Sequence, residues 1–229
     1  MNSFVAQQPR YLPWVGFFER ALIADYVVIQ DDLQFVRQEY QSRTRVADRN
    51  SLGWRWLTVP IHAKFGQAIN AVFPVDNGWH FHHRNILHYN YSAEVGWRAV
   101  YDLIEIVFEH RFESLAELNV ALIRRIFDML DISATLVLES ELNLPKFSTP
   151  DSRLISLAET LNCSNYISGQ GGRNYHREEE WSDSIARWVW HEPELRRYDR
   201  GSSPWISGLS IIDMLAYSSN PAGLLRSRG

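Results

Sequence analysis

The stretch "SFVAQQPRYLPWVGFFERALIADYVVIQDDLQF", from Ser3 to Phe35, sets the fold. Phe4 to Ala6 spells a short strand that stops at Gln7, Gln8 and Pro9. Pro9 and Pro13 restrict the backbone and remove two N–H donors, which predicts a rigid loop from Gln7 to Trp14. Val15, Phe18, Ala21, Leu22 and Ile23 then follow a helical spacing as far as Asp25. Tyr26 to Ile29 is a β-branched run of the kind that forms a buried strand. Strand, loop, helix and strand within about 30 residues is the proportion of a βαβ unit, and hence of a parallel sheet. In an open parallel sheet the carboxyl ends of the strands share one edge, where ligands bind. The Gln7 to Trp14 loop and the pair Asp31-Asp32 are expected at that edge. Two adjacent carboxylates after a strand read either as a turn or as groups delivered to a solvated crevice. Neighbouring residues on an extended chain point to opposite sides, so one of the two faces the crevice.

Working outward, Trp54 to Ile61 is a third strand candidate, and the polar "HAKFGQAIN" is a loop or a hairpin back through Ile69 to Phe73. Helical patterns run from Trp79 to Tyr91, Trp97 to Phe112 and Ser114 to Leu130; in the last, Leu115, Leu118, Leu122, Ile126 and Met129 share one face. Thr135 to Glu139 reads as a strand, Ser152 to Asn162 as a helix opened by Asp151, and Tyr166 to Ser168 as the last inner strand. A Gly-rich loop, "SGQGGRNY", follows it; Trp188 to Trp190 is an edge strand and Leu209 to Tyr217 a closing helix. The expected architecture is a single α/β domain over residues 1–229, three-layered and Rossmann-like, with a mostly parallel sheet and a helical insertion at 79–130.

Composition limits the function. With 229 residues, 45% apolar and 22% charged, the chain is globular. Its nine Trp supply amphipathic faces that can line a pocket. Net charge is −4, and the basic residues are scattered apart from Arg37, Arg43, Arg45 and Arg49, which argues against DNA as a partner. Without a continuous apolar leader, or the roughly 20 apolar residues that span a bilayer, the expected location is cytoplasmic and no membrane partner is expected. A lone cysteine, Cys163, excludes an intrachain disulfide and a multi-thiolate metal site, and reads as a core or turn thiol.

Several groups could carry chemistry. Asp31 or Asp32 could orient an amine, hold a metal or act as a base. Arg43 and Arg45 share one face if "YQSRTRV" is extended; they could then clasp phosphate or carboxylate, or simply pair with the nearby Asp residues. His80, His82, His83 and His88 form the densest histidine group, but their spacing lacks the pattern of a zinc-binding helix, so no metal site is assigned. One of them could serve as an acid or base near neutral pH. The Gly-rich loop permits close backbone approach to a substrate, although it fits no nucleotide signature. No cofactor is identified.

The pieces "QQPRYLPWVGFFER", "VIQDDLQF", "QSRTRV", "WLTVPI", "HHRNILHYNY", "YISGQGGRNY" and "LSIIDML", in that order, resemble the WbqC-like family of bacterial proteins from about Val5 to Leu215. The most specific piece is the opening QPxYLPWxGxF followed by DDxQF. The resemblance implies a soluble cytoplasmic enzyme that modifies a sugar nucleotide or similar intermediate in surface-polysaccharide or natural-product biosynthesis. What looks like the family pattern falls on Gln8, Pro9, Tyr11, Pro13, Asp31, Asp32, Gln34, Arg43, Trp56, Thr58, Pro60, His83, Tyr91, Ser168, Gly169, Tyr175, Ser210 and Asp213. The chain departs at Gln7, where many members have His, and at Ser42, where Asn is usual; a base supplied by that His in relatives would here fall to His83. A looser likeness to pantothenate-synthetase-type nucleotidyltransferases extends only to the Rossmann-like layout, because their two-histidine loop is missing.

The resulting expectation is a transferase passing an acyl or aminoacyl group to an amine of a sugar nucleotide or other small metabolite, with carrier-protein- or tRNA-tethered donors within its scope. Asp31, Asp32 and His83 are its expected catalytic residues. Gln8, Tyr11, Gln34, Arg43, Thr58, Ser168, Gly169 and Tyr175 are its expected substrate contacts. The alternatives are a nucleotide-dependent synthetase or nucleotidyltransferase, a metal-dependent hydrolase, and a non-catalytic escort of a biosynthetic intermediate.

Overall fold

The computed structural model describes residues 2–145, 147–174, 176–194 and 197–227. The chain opens with β1 (Asn2–Gln7), α1 (Val15–Leu22) and β2 (Tyr26–Ile29). Then come β3 (Arg43–Asp48), β4 (Gly53–Thr58), β5 (Ile61–His62) and β6 (Phe73–Pro74). Three long helices follow, α2 (Trp79–Tyr91), α3 (Trp97–Phe108) and α4 (Leu115–Met129). The last part carries β7 (Thr135–Leu138), α5 (Pro150–Leu161), β8 (Cys163–Ser168), α6 (Glu178–Trp181), β9 (Arg187–Trp190), α7 (Ile211–Tyr217) and α8 (Pro221–Arg226). The fold is α/β, with a five-stranded parallel sheet flanked by helices in the three-layer Rossmann-like manner.

Two compact units divide the chain: Met1–Gln8, Glu19–Gln30 and Ser133–Glu194 form the first, and Pro9–Phe18, Asp31–Ile132 and Leu195–Gly229 the second. The first holds the parallel sheet, in the order β7-β2-β1-β8-β9. From β1 the chain moves outward through β2 to β7, then returns to the other side of β1 for β8 and β9. The direction therefore reverses between β1 and β8, and a reversal of this kind opens a crevice at the carboxyl ends of the two strands. Gln7 and Ser168 are the last residues of those strands.

The sheet is buttressed by α5. Phe4 and Val28 pack with Leu154, Leu157, Ala158, Tyr166 and Trp181 around the buried Cys163, whose thiol pKa burial pushes up to about 11. Truncating Leu157, which is wholly buried, to Ala would cost about 2–5 kcal/mol. The start of α5 is encoded locally. Thr149 Oγ1 accepts from the Ser152 N–H at 3.0 Å, Ser152 Oγ accepts from the Thr149 N–H at 3.1 Å, and Pro150 occupies the first turn. The helix thus begins before the Ser152 start expected from the sequence, and Thr149 is its cap.

In the second unit, β3 and β4 pair antiparallel as a separate two-stranded ribbon, with Arg43 opposite Thr58 and Arg45 opposite Trp56. The strand expected over Trp54 to Ile61 therefore ends at Thr58 and lies outside the parallel sheet. Its partner, β3, is the nearest extended segment in sequence, and a short turn makes antiparallel pairing the local outcome. Helix α3 buries Val100, Leu103, Ile104, Val107 and Phe108 at helical spacing and stops at Phe108, before the polar Glu109-His110-Arg111. Helix α4 starts at Ser114, whose Oγ accepts from the Glu117 N–H at 3.0 Å.

A buried ion pair anchors α7. Asp213 Oδ1 and Oδ2 each lie 2.9 Å from Arg200, from Nη2 and Nε respectively, and the Tyr91 and Tyr198 hydroxyls donate to the same carboxylate at 3.0 and 2.5 Å. Asp213 is wholly buried. Its carboxylate is held by paired, charge-assisted bonds, the arrangement a buried charge requires. Among the described residues, no helix is long and apolar enough to cross a membrane.

Candidate functional site

Ser168 closes β8, and its hydroxyl oxygen lies 2.9 Å from His176 Nε2. His176 Nδ1 lies 2.5 Å from Asp151 Oδ1. The other carboxylate oxygen of Asp151 accepts from the Arg177 N–H at 2.8 Å. The acceptor carboxylate requires the proton on Nδ1, which leaves Nε2 as a lone pair facing the serine hydroxyl. Serine, histidine and aspartate so linked form the arrangement that activates a hydroxyl as a nucleophile.

Each member is positioned by a regular element or by close packing. Ser168 is the end of an inner strand, paired with Trp190 of β9, and its carbonyl accepts from the His191 N–H at 2.9 Å. Asp151 stands in the first turn of α5, where an acidic group complements the helix dipole. The His176 ring stacks on Trp188 with centroids 5.2 Å apart, and Tyr166, Trp181 and Trp190 close around it. Such packing locks the ring in one orientation. Gly172 lies so close that a Cβ there would overlap both the Ser168 hydroxyl and His176 Nε2. The glycine of the loop is therefore needed for close approach, as is Gly169, where a Cβ would overlap the Arg20 guanidinium.

Two cationic or titratable groups border this relay. Arg20 Nη2 donates to Gln7 Oε1 at 2.5 Å, at the end of β1. Among the described residues, the buried Nε2 of His191 has no hydrogen-bond partner, and burial, followed by the positive charge of Arg20, holds its pKa below the ordinary histidine value. Ser168 and Asp151 are buried, and the His176 and Asp151 side chains are only 2% and 1% exposed.

The residues expected from the sequence fall as follows. Gln8, Ser168 and Gly169 belong to the first unit; Gln8 is half-buried. Tyr175 lies outside the described residues. Tyr11, Thr58 and His83 meet in the second unit: the Tyr11 hydroxyl lies 2.8 Å from His83 Nδ1, and His83 Nε2 donates to the Thr58 carbonyl at 3.2 Å. Burial lowers the His83 pKa to about 4 and raises that of Tyr11 well above its usual value. Both ring nitrogens of His83 are engaged within the protein. Asp31 is buried; its carboxylate accepts from Asn70 Nδ2 at 3.3 Å and its carbonyl from the Asn70 N–H at 2.9 Å, while Asp32 and Gln34 are exposed. Arg43 lies over the Trp56 ring at 4.0 Å.

Asp151, His176, Arg20 and His191 were not singled out from the sequence. Asp151 reads as a helix start and His176 as the residue after a glycine loop. The available signal was positional: in a parallel sheet, polar residues just past an inner strand and at the start of a neighbouring helix share the carboxyl edge. A separate cavity of about 360 Å³ in the second unit is lined by Pro74, Trp79, His80, Phe108 and His110, and contains none of the expected site residues. Among the described residues, no three His, Cys, Asp or Glu side chains gather as metal ligands would.

The chain belongs to the WbqC-like protein family, whose sequence model matches residues 8–223. It is 29% identical over 219 residues to the uncharacterized protein Rv1507c of Mycobacterium tuberculosis strain H37Rv, across 94% of this chain and 93% of that relative. No solved structure matches it.

Proposed function

Taking the chain as a WbqC-like protein, we propose that it is an acyl-transfer enzyme with Ser168 as nucleophile, His176 as base and Asp151 as the group that orients the base. The acceptor in this reading is an amine on a sugar nucleotide or other small metabolite of surface-polysaccharide or natural-product biosynthesis in the cytoplasm. The donor is an activated acyl or aminoacyl ester or thioester, free or tethered to a carrier protein or tRNA. The observation that carries the proposal is the continuous Ser168–His176–Asp151 chain, with separations of 2.9 and 2.5 Å, at the carboxyl end of an inner parallel strand.

In the first half-reaction the Ser168 oxygen bonds to the donor carbonyl carbon while its proton passes to His176 Nε2. The tetrahedral adduct collapses, the bond to the leaving oxygen or sulfur breaks, and His176 returns the proton to that atom. In the second half the acceptor amine attacks the acyl-serine carbon and gives a proton to His176. The serine oxygen then leaves as the hydroxyl. Arg20, beside Gly169, supplies positive charge near the oxygen that becomes anionic. His83, the base expected from the sequence, has both ring nitrogens engaged, so in this scheme His176 takes its role.

Fluorophosphonate labelling of the full chain, read by mass spectrometry of the peptide containing Ser168, tests the nucleophile. Adduct at Ser168, absent in Ser168→Ala and His176→Ala variants of normal melting temperature, is expected. An unlabelled Ser168, with no acyl adduct formed from acyl thioesters, would reduce the three residues to a buried clip and favour the escort reading.

A further inference from the structure

The β3–β4 ribbon of the second unit carries an alternating arrangement of arginine and aromatic side chains. Arg43 and Arg45 project from the same face, roughly 7 Å apart along the strand. Directly opposite them on β4 stand Thr58 and Trp56, and Trp54 follows opposite Ala47. Each guanidinium leans diagonally onto the next indole, Arg43 over Trp56 at 4.0 Å and Arg45 over Trp54 at 5.1 Å. Trp54 and Trp56 meet edge to face at 5.3 Å, and Tyr40 closes on Trp56 at 5.5 Å with Arg10 over its ring. Gly208, at a φ of 69°, backs Arg45 so closely that a Cβ would overlap its guanidinium.

Among the described residues, these cations are held without counter-charges. The Nε atoms of Arg43 and Arg45 are buried and lack hydrogen-bond partners, and neither guanidinium pairs with a carboxylate among the described residues. This contrasts with Arg200, whose guanidinium is saturated by Asp213. Half-buried guanidinium groups fixed by aromatic stacking, with no carboxylate paired to them among the described residues, form a preorganised site for an anion with more than one acceptor. Two forks on alternate residues of one strand match two adjoining phosphoryl groups. Thr58 is exposed on the same face, with its hydroxyl available to a further oxygen. Trp54, 42% exposed beside Arg45, offers a ring on which a base can stack.

We propose that the β3–β4 ribbon is a diphosphate-binding surface, with one phosphoryl group on Arg43 and the next on Arg45, and that its ligand is the diphosphate of a nucleoside diphosphate. It rests on the acyl-transfer reading only for the idea that the acceptor is nucleotide-linked, and it is tested without any acyl donor. Calorimetric titration of the full chain with UDP, inorganic pyrophosphate, orthophosphate and uridine is the experiment. UDP is expected to bind at least tenfold tighter than orthophosphate or uridine, with pyrophosphate between. Arg43→Gln and Arg45→Gln should each weaken UDP binding at least tenfold and lower the melting temperature by no more than a few degrees, the cost of one cation–π contact. Should either variant fail to fold, protection of Arg43 and Arg45 of the unmodified chain from phenylglyoxal by UDP decides the matter. Pyrophosphate tighter than UDP would overturn the nucleotide assignment in favour of free diphosphate. Uridine binding as well as UDP, no heat with UDP or pyrophosphate, or affinity unchanged in both variants would overturn the surface itself. Failure of serine labelling with UDP binding intact would remove only the acyl-transfer reading.

Discussion

Replacing Asp151 with Asn separates a working relay from a structural clip with almost no change of shape. One oxygen of Asp151 faces His176 Nδ1 at 2.5 Å and the other accepts the Arg177 N–H at 2.8 Å. An asparagine keeps both contacts only with its carbonyl toward Arg177 and its amide toward His176. The amide donates, so Nδ1 must become the acceptor and the ring proton moves to Nε2. Nε2 then faces the Ser168 hydroxyl with a hydrogen in place of a lone pair and accepts no proton from it. A base in the wrong tautomer costs a factor of about 10⁴ in turnover, equivalent to roughly 5.5 kcal/mol of barrier. The loss of stability is smaller, about 1.5–3 kcal/mol, the worth of charge-assisted hydrogen bonds exchanged for neutral ones. Hydrolysis of an activated acyl ester and acyl transfer to an amine, each measured beside urea denaturation of the same protein, give both numbers. A turnover within tenfold of the parent, alongside the stability loss, would refute the catalytic reading and leave only the clip.

Other perturbations test neighbouring parts of the argument. Gly172→Ala forces a methyl group into the Ser168–His176 contact; overpacking is expected to lower stability by about 1–3 kcal/mol and turnover by far more, as paired melting and turnover assays would show. Arg200→Met leaves the wholly buried Asp213 with tyrosine hydroxyls alone and should cost about 3–5 kcal/mol in urea denaturation; a loss under about 1 kcal/mol would mean the carboxylate is not charged or not dry. His83 is held neutral by burial, with a pKa near 4 against an unfolded value of 6.5. Its contribution is therefore complete above pH 6.5, declines as the unfolded chain takes up a proton that the folded chain refuses, and levels off below pH 4. The total is on the order of 3 kcal/mol. Urea denaturation across that range should show the slope diminished in His83→Gln.

Much of the scaffold was legible because its signals are local. Pro9 and Pro13 mark the loop after β1, the β-branched run Tyr26 to Ile29 marks β2, and the apolar spacing of α4 survives in the structure nearly to the residue. The βαβ proportion alone directed the expected site to the carboxyl edge of a parallel sheet, where the proposed serine relay stands. Ser168 and Gly169 entered as expected substrate contacts through the family pattern, on a glycine-rich loop after a strand that is visible in one dimension. Sheet membership was not legible: Trp54 to Thr58 reads as a strand and forms one, but nothing in its sequence distinguishes an inner parallel neighbour from the antiparallel β3. The sequence left Arg43 between clasping an anion and pairing with the nearby Asp residues; its stacking on Trp56 is a cross-strand diagonal that needs the register.

The sequence by itself therefore determined the parallel α/β class, the helical middle of the chain and the family. Hydrophobic period, turn chemistry and ordered motifs are properties of consecutive residues. Only the tertiary structure decided that Asp151, Ser168 and His176 meet, since helix start, strand end and loop are brought together by the topological reversal between β1 and β8. It also decided that His83 is a buried, doubly bonded neutral ring, because desolvation and both of its hydrogen-bond partners are supplied by residues remote from it in the chain.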